Sequence, residues 1–387
     1  MAISDTVDAG DDGTTSSVST PERSRVVKYI NKLVRQRHGG ERLPSVRQIS
    51  KSCQVSSVTV QAVVEDLCNQ GIIETRPRRG IFLSESKSKP RAAQVDILFI
   101  TSNTRALDAD TTEVETFHPQ LLHELASRCG QDLRSTRVHV VLGSAADDEL
   151  HDLISRVDFQ SCVVIGMQDA HVNQVLQEHE VSFVHLFPSA PVLPEFCVAV
   201  NNEKLVRTQL EHLQELGHRK IGLFARSDAA AYHRDKAERR MWYYRLMAEA
   251  GLRVAPHWAP ELSYQPASAI ETIQSALADP ADRPTALIVD DGSLPLIYQT
   301  LQGLGLTPGQ DIALMGTDGL PISAGMHPRA TSLRIGLGEA AALALDMLDS
   351  RAQDANYTTE CRWAPIELLP RETSCPPPAS ASHSSTD

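Results

Sequence analysis

The chain has 387 residues, 41% of them hydrophobic, which suits two or three domains with real cores. Its formal net charge is −12, and its seven cysteines are odd in number and scattered with no Cys-x-x-Cys pair. A disulfide framework and a zinc site are therefore not expected. No apolar run approaches the ~20 residues of a membrane span and no secretory segment opens the chain, so a cytoplasmic protein with no membrane partner is expected.

Residues 1–20 are Ser, Thr, Asp and Gly with almost nothing apolar, and are expected to be disordered. Pro21 opens a helix with Val26, Val27, Ile30, Leu33 and Val34 on one face. Leu43-Pro44-Ser45-Val46-Arg47 begins a second helix: Ser45 and Gln48 make a capping box, and the helix runs to about Cys53. Gln54-Val55 is a short turn and Ser56 a second cap. A third helix covers Ser57 to about Asn69, with Val60, Val63, Val64 and Leu67 in one buried stripe. Ser57, Val58, Gln61, Ala62 and Glu65 take its opposite, solvent face. Gly71 ends that helix. Ile72–Thr75 and Gly80–Leu83 are two short strands around Arg76-Pro77-Arg78-Arg79. Two helices on a tight turn with a basic hairpin behind them make a winged helix-turn-helix. One helix fits the major groove and the cationic wing lies along phosphates.

Charge agrees with that division. From Glu22 to Glu85 there are twelve Lys and Arg against six acids, a balance of +6 that leaves −18 for the remainder. A basic module on an acidic body implies that the module alone touches nucleic acid. Residues 86–94 form a polar linker.

From Val95 the pattern changes. Apolar strands at 95–100, 138–142, 162–166 and 181–186 alternate with helices at 118–129, 150–157 and 170–178. After Pro188–Pro191 the pattern restarts. Strands at 221–224, 286–289 and 312–315 alternate with helices at 203–216, 239–250, 267–277 and 294–304. Such alternation is α/β, a doubly wound parallel sheet covered on both faces. Two halves of it imply two lobes, with a cleft at the carboxyl ends of the strands.

Two resemblances sharpen this. Leu43-Pro44-Ser45-Val46-Arg47, Val55–Val60, Leu67–Gly71 and Arg79–Leu83, in this order and spacing, resemble the DNA-binding domain of the GntR family of bacterial repressors over residues 21–85. Val198–Asn202, His212-Leu213, Leu216–Ile221, Pro284–Leu287, Asp290-Asp291, Leu304–Leu306, Asp311–Asp318 and His327–Leu333 resemble the effector domains of LacI type over residues 95–370. The combination is similar to the arabinose-repressor group. It implies an N-terminal winged helix-turn-helix plus a two-lobed periplasmic-binding-protein-like domain, dimerisation through that domain, and a sugar-type effector. Residues 371–387 are Pro, Ser and Ala and are expected to be a disordered tail.

On the GntR resemblance, Arg47, Ser56, Ser57, Thr59 and Gln61 are the DNA-contacting positions of the helices, and Arg78, Arg79 and Gly80 those of the wing. Gln61 and Ser57 stand where many relatives have Arg. Gln pairs with adenine and Arg with guanine, so a less guanine-directed operator is expected. On the LacI-type resemblance, Arg239 is the arginine that holds sugar hydroxyls and Asp318 the acceptor at a strand end. Asp290 and Asp291 stand where the family has Asn-Asp, and Asp291 joins the effector-binding set. Ser102, Asn103, Gln168 and Asp169 end N-lobe strands and would complete the cleft. An Arg fork facing a carboxylate suits a polyol. Trp242, Tyr243 and Tyr244 replace Gly-Phe and are expected in the core.

No enzyme is expected: no Gly-x-Gly-x-x-Gly follows a strand, and there is no Walker lysine, no His-Glu-x-x-His and no Gly-x-Ser-x-Gly. No cofactor or metal is implied. The sequence leads to a dimeric, sequence-specific repressor of double-stranded operator DNA controlled by a small sugar-type effector. An architectural DNA-binding protein whose C-terminal domain only dimerises is the alternative.

Overall fold

The capping box read at Ser45 is formed: Ser45 Oγ accepts from the Gln48 backbone and the Gln48 side chain accepts from the Ser45 N–H at 2.8 Å. The computed structural model describes residues 21–36, 40–69, 72–77, 79–84, 94–101, 117–142, 147–157, 159, 161–166, 170–189, 192–226, 234–353, 357–358 and 361–378. The expected tails at 1–20 and 379–387, the helix stop at Gly71 and linker residues 86–93 lie outside these. The chain forms two compact units, residues 1–91 with 152–158 and residues 92–151 with 159–387.

In the first unit, α1 (Pro21–Gln36), α2 (Val46–Cys53) and α3 (Ser57–Asn69) precede the hairpin β1 (Ile73–Arg76) and β2 (Gly80–Leu83). Val60, Val63, Val64 and Leu67 of α3 are all buried, together with Val26, Ile30, Leu43, Ile49, Ile73 and Ile81. Arg23 of α1 pairs with Asp66 of α3. Strand β1 begins one residue later than expected because the Ile72 N–H closes the end of α3 on Leu67 O at 2.9 Å. The segment before α2 adds a third line of pairing: Leu43 N–H donates to Ile81 O (2.8 Å) and Leu83 N–H to Glu41 O (2.9 Å). The wing is thereby tied to the residue that precedes the helix-turn-helix, a long-range pairing no local pattern announces.

The second unit opens with β3 (Gln94–Thr101), α4 (Phe117–Gln131), β4 (Ser135–Leu142), α5 (Asp147–Arg156), β5 (Ser161–Gly166), α6 (Ala170–Glu178), β6 (Ser182–Leu186) and β7 (Cys197–Ala199). It continues through α7 (Asn202–Glu215), β8 (Ile221–Arg226), α8 (Arg234–Glu249), β9 (Glu261–Leu262), α9 (Pro266–Leu277), β10 (Ala286–Val289), α10 (Leu294–Gly303), β11 (Ala313–Asp318), α11 (Pro321–Gly325) and β12 (Thr331–Ile335). It ends with α12 (Leu337–Gln353), β13 (Arg362–Trp363) and β14 (Ile366–Leu369). One sheet has the order β13-β7-β6-β5-β3-β4 and the other β14-β12-β11-β10-β8-β9. Every pairing is parallel except β14 against β12. Central strands are buried on both faces, as in β5 from Cys162 to Ile165 and β10 throughout, which is why they read as unbroken apolar runs.

The chain passes between the lobes three times: from β7 to α7, from β12 to α12, and from β13 to β14. Neither lobe is continuous in sequence. The last of these elements carry little periodic signal, since Ala and Leu fill both faces of α12 and β13 has two residues. Residues 371–378, expected to be disordered, belong to the second lobe. Leu314 N–H donates to Thr373 O (2.9 Å), the Thr373 hydroxyl donates to Leu314 O (2.6 Å), and His218 Nε2 meets Cys375 O at 2.7 Å. Thr373 is fully buried, and these backbone partners outweigh the Pro-rich composition. Strand β3 also takes Gln94 from the expected linker. Among the described residues no helix is long and apolar enough to cross a membrane, and no cluster of three His, Cys, Asp or Glu side chains could hold a metal ion.

Candidate functional site

The recognition face is set by α3. Its buried stripe turns Ser57, Val58 and Gln61 outward, and Val58 is 79% exposed, a large apolar residue left in water next to polar neighbours. Arg47, one residue into α2, is exposed as well. Ser56 has a structural duty: its Oγ accepts the Thr59 N–H (3.1 Å) and lies 2.8 Å from the Thr59 hydroxyl, so both hydroxyls first serve the helix start. At the wing, Arg79 is exposed and its N–H closes the turn on Arg76 O. Gly80 has φ +109°, a region costly for other residues, and a Cβ there would lie 3.2 Å from Arg42 Nε. Arg76 is held back by Glu74 and by the face of Phe82, 4.6 Å away. Arg78 lies outside the described residues.

In the second unit the two positions expected to meet do meet. Arg239 Nη1 is 3.4 Å from Asp318 Oδ1 and 4.0 Å from Asp290 Oδ1. Arg239 is carried by α8, Asp318 ends β11, and Asp290 follows β10, so the group lies at the carboxyl ends of the C-lobe strands, where open α/β sheets take ligands. The guanidinium is also aimed from behind, its Nε donating to Asn202 Oδ1 at 3.1 Å. Asn202 is itself fixed, its Nδ2 donating to Asp235 Oδ1 (2.8 Å) and Glu238 Oε2 (2.8 Å). Arg234 closes the network on Glu238 at 2.7 Å and Asp235 at 3.3 Å. These partners escaped the sequence because α8 starts at Arg234, five residues before the expected Arg239; the charged run Arg234–Arg240 has no apolar rhythm to mark it.

Asp318 has φ +97°, a backbone conformation rare outside glycine, and Gly319 follows at +68°. Such strain persists where surrounding structure imposes it. Asp291 imposes it here. Its carboxylate accepts the Leu320 N–H at 2.7 Å and the Ser332 hydroxyl at 2.8 Å. Asp291 is fully buried, so it shapes the loop after β11 rather than facing a ligand, and Asp290 takes the half-buried place beside Arg239. A Cβ on Gly316 would collide with the Asp291 carboxylate, which explains glycine within β11.

Electrostatics follow from burial. Desolvation pushes the Asp318 carboxyl up to about 6, against the pull of Arg239, and Asp291 rises well above the usual carboxylate range for the same reason. Burial works against the Arg239 charge, but Asp318, Asp235 and Asp290 outweigh it and its pKa is raised. A charged fork between acceptors can exchange in-plane hydrogen bonds with adjacent hydroxyls.

Further along the same edge, Arg226 at the end of β8 is buried, donates from Nε to Ser293 Oγ (3.0 Å) and stacks 5.4 Å from the Tyr264 ring. Lys236 reaches the Tyr264 hydroxyl at 2.7 Å. Arg240, next to Arg239, is turned away to Ala259 O and Pro260 O. Tyr243 is fully buried and donates to Ile221 O at 2.7 Å, a core role; Tyr244 is 43% exposed. Ser102, Asn103, Gln168 and Asp169 lie outside the described residues.

Comparison with known proteins agrees with both units. The family model for bacterial regulatory proteins of the gntR family matches residues 23–83, and that for a periplasmic binding protein-like domain matches residues 210–374. The HTH-type transcriptional repressor PurR of Aliivibrio salmonicida is 24% identical over 326 residues, 81% of this chain and 94% of its own. The arabinose metabolism transcriptional repressor of Geobacillus stearothermophilus is 22% identical over 337 residues, 81% and 87% respectively. Among solved structures, a LacI-family regulatory protein from Chloroflexus aggregans superposes with TM-score 0.61 at 19% identity, covering 72% of this chain and 98% of its own. The lac repressor dimer bound to operator and the anti-inducer ONPF gives TM-score 0.59 at 19% identity, covering 75% and 97%. The chain therefore joins a winged helix-turn-helix that matches the gntR family to a periplasmic-binding-protein-like domain, whose fold is that of these LacI-family structures.

Proposed function

We propose that the protein is a cytoplasmic, dimeric transcription repressor whose hold on operator DNA is set by a small sugar-type effector bound against Arg239, Asp318 and Asp290. It works by binding, without catalysing a reaction. One observation carries this: a half-buried guanidinium, fixed by Asn202, faces two carboxylates at the carboxyl edge of a parallel sheet, in a chain that also carries a DNA reader. A body that served only to dimerise would have no use for a charged, strained wall there. Architectural DNA binding is therefore the weaker alternative. The relatives support the repressor reading, since one is the HTH-type transcriptional repressor PurR and another an arabinose metabolism transcriptional repressor.

In the reader, Arg47, Ser57 and Gln61 contact bases or phosphates from the helices and Arg78, Arg79 and Gly80 follow the backbone from the wing, with Ser56 and Thr59 holding the start of α3. Ser102, Asn103, Gln168 and Asp169 supply the other wall of the effector cleft. An effector that prefers one lobe arrangement shifts the population of DNA-competent molecules.

The test is thermal unfolding of the full chain against pentoses, hexoses, sugar acids and sugar phosphates. A ligand at 100-fold its Kd stabilises the body by ~2.7 kcal/mol, a readable shift. A shift from one sugar that Arg239→Ala abolishes supports the proposal. Silence across the panel counts against it and favours the architectural alternative.

A further inference from the structure

Two of the seven cysteines lie together, away from the effector wall. Cys197 opens β7, and Cys361 immediately precedes β13. These strands pair in parallel, Arg362 with Val198 and Trp363 with Ala199. One step back along the same register places Cys361 beside Cys197. Neighbouring strands lie about 4.7–4.9 Å apart, inside the about 4.4–6.8 Å between Cα atoms that a disulfide spans. The side chains influence each other, the Cys197 thiol donating toward the Cys361 sulfur, which also takes the Ala199 N–H and itself donates to Arg362 O at 3.4 Å. Both sulfurs lie in the field of Arg234.

The two are not equivalent. Cys197 is fully buried and its thiol is pushed up, first by donating to Cys361 and then by desolvation. Cys361 is partly exposed and is pulled down, first by that same hydrogen bond and further by Arg234. The accessible sulfur is thus the nucleophile and the buried one its neighbour, the arrangement of an attacking and a resolving cysteine. Cys129 and Cys162, by contrast, are buried with raised pKa values.

We propose that Cys197 and Cys361 are a modification site, a dithiol that a hydroperoxide oxidises to a disulfide across β7 and β13. The Cys361 thiolate attacks the peroxide oxygen, the O–O bond breaks, and the departing alkoxide or hydroxide takes a proton. Cys361 is then a sulfenic acid. The Cys197 sulfur attacks it, the S–O bond breaks, and hydroxide leaves as water with the Cys197 proton. The pair gives up two electrons and the peroxide accepts them. The new bond pins two of the three interlobe crossovers just before they leave the N-lobe. It also forms beside Arg234, whose partner Glu238 holds Asn202 and through it Arg239. The site stands whatever the cleft binds.

The test uses the reduced full-length protein. It is treated with hydrogen peroxide in slight excess, alkylated, digested and mapped by mass spectrometry, with thermal unfolding in parallel. The expected product is a Cys197–Cys361 cross-linked peptide pair, two hydrogens lighter than its parts and restored by dithiothreitol. The oxidised wild type should melt higher than the reduced form, since the bond restricts the unfolded chain, and peroxide should leave the midpoint of Cys361→Ser unmoved. In Cys197→Ser, dimedone should trap a sulfenic acid at Cys361. Sulfinic acid at Cys361 without cross-link in the wild type, a cross-link to another cysteine, or an unreacted Cys361 each overturns the proposal; the wild-type map decides it even if a variant misfolds.

Discussion

Asp318 makes opposite demands on ligand binding and on stability, and both can be read as pH is lowered. Its folded pKa of about 6 is above the ordinary 3.8, so the folded chain takes up this proton before the unfolded chain does. In the ligand-free protein its ionised form costs stability at neutral pH, and that cost is relieved as pH falls through about 6 toward 3.8. Denaturant unfolding from pH 7 to pH 5 should therefore show the stability difference between Asp318→Asn and wild type changing in favour of wild type. Effector binding should move the other way, because protonation removes the acceptor charge. The Kd from calorimetry should rise about tenfold per pH unit below 6 if binding requires the carboxylate; a flat profile would remove Asp318 from the effector contacts. In the reader, Gln61→Ala should cost about 1–3 kcal/mol at one adenine of the operator and relax sequence preference there. Base-by-base operator scanning that finds the variant indifferent everywhere would sink that assignment.

At the scale of elements, α2 and α3 depend on different forces. The Ser45 capping box satisfies end groups that water could also satisfy, so Ser45→Ala should cost about 1 kcal/mol. Leu67 is 4% exposed in the reader core, and Leu67→Ala leaves a cavity worth about 2–5 kcal/mol. Hydrogen exchange of the α2 and α3 amides resolves the two, and equal losses would show that the cap does more than close a helix end. The same contrast explains what the sequence could disclose. Helices with a one-sided stripe, such as α3, and strands buried on both faces, such as β5 and β10, carry their signal locally and were legible within a residue or two. Elements defined by distant partners were not. The Glu41–Leu43 pairing depends on β2, Thr373 depends on Leu314, and α12 is apolar on too many sides to show a period. At the site, Arg239 and Asp318 were legible from motif context, whereas Asn202, Asp235 and Glu238 are recruited only when α7 and α8 pack together.

For the whole molecule, the acidic body and basic reader set how binding responds to salt. The log of operator affinity should fall linearly with log salt, with a slope of about −0.9 per phosphate neutralised. Arg79→Ala should reduce that slope by ~1 and weaken all operators alike, whereas Gln61→Ala should leave the slope unchanged. Fluorescence anisotropy across a salt series separates the two.

The three passages between lobes also dictate an order of events during synthesis. The last reader strand ends at Leu83, and the buried cluster of the reader runs from Val26 to Leu83, so its helices and hairpin have all been made by then. The N-lobe sheet is incomplete until β13 has been made, and the C-lobe sheet until β14, which ends at Leu369. At about 5–20 residues per second the ribosome needs roughly 15–60 s to cover that interval. Throughout it the nascent chain presents a finished DNA-binding head on an unfinished regulator. A polysome close to its operator therefore carries heads that no effector can yet restrain.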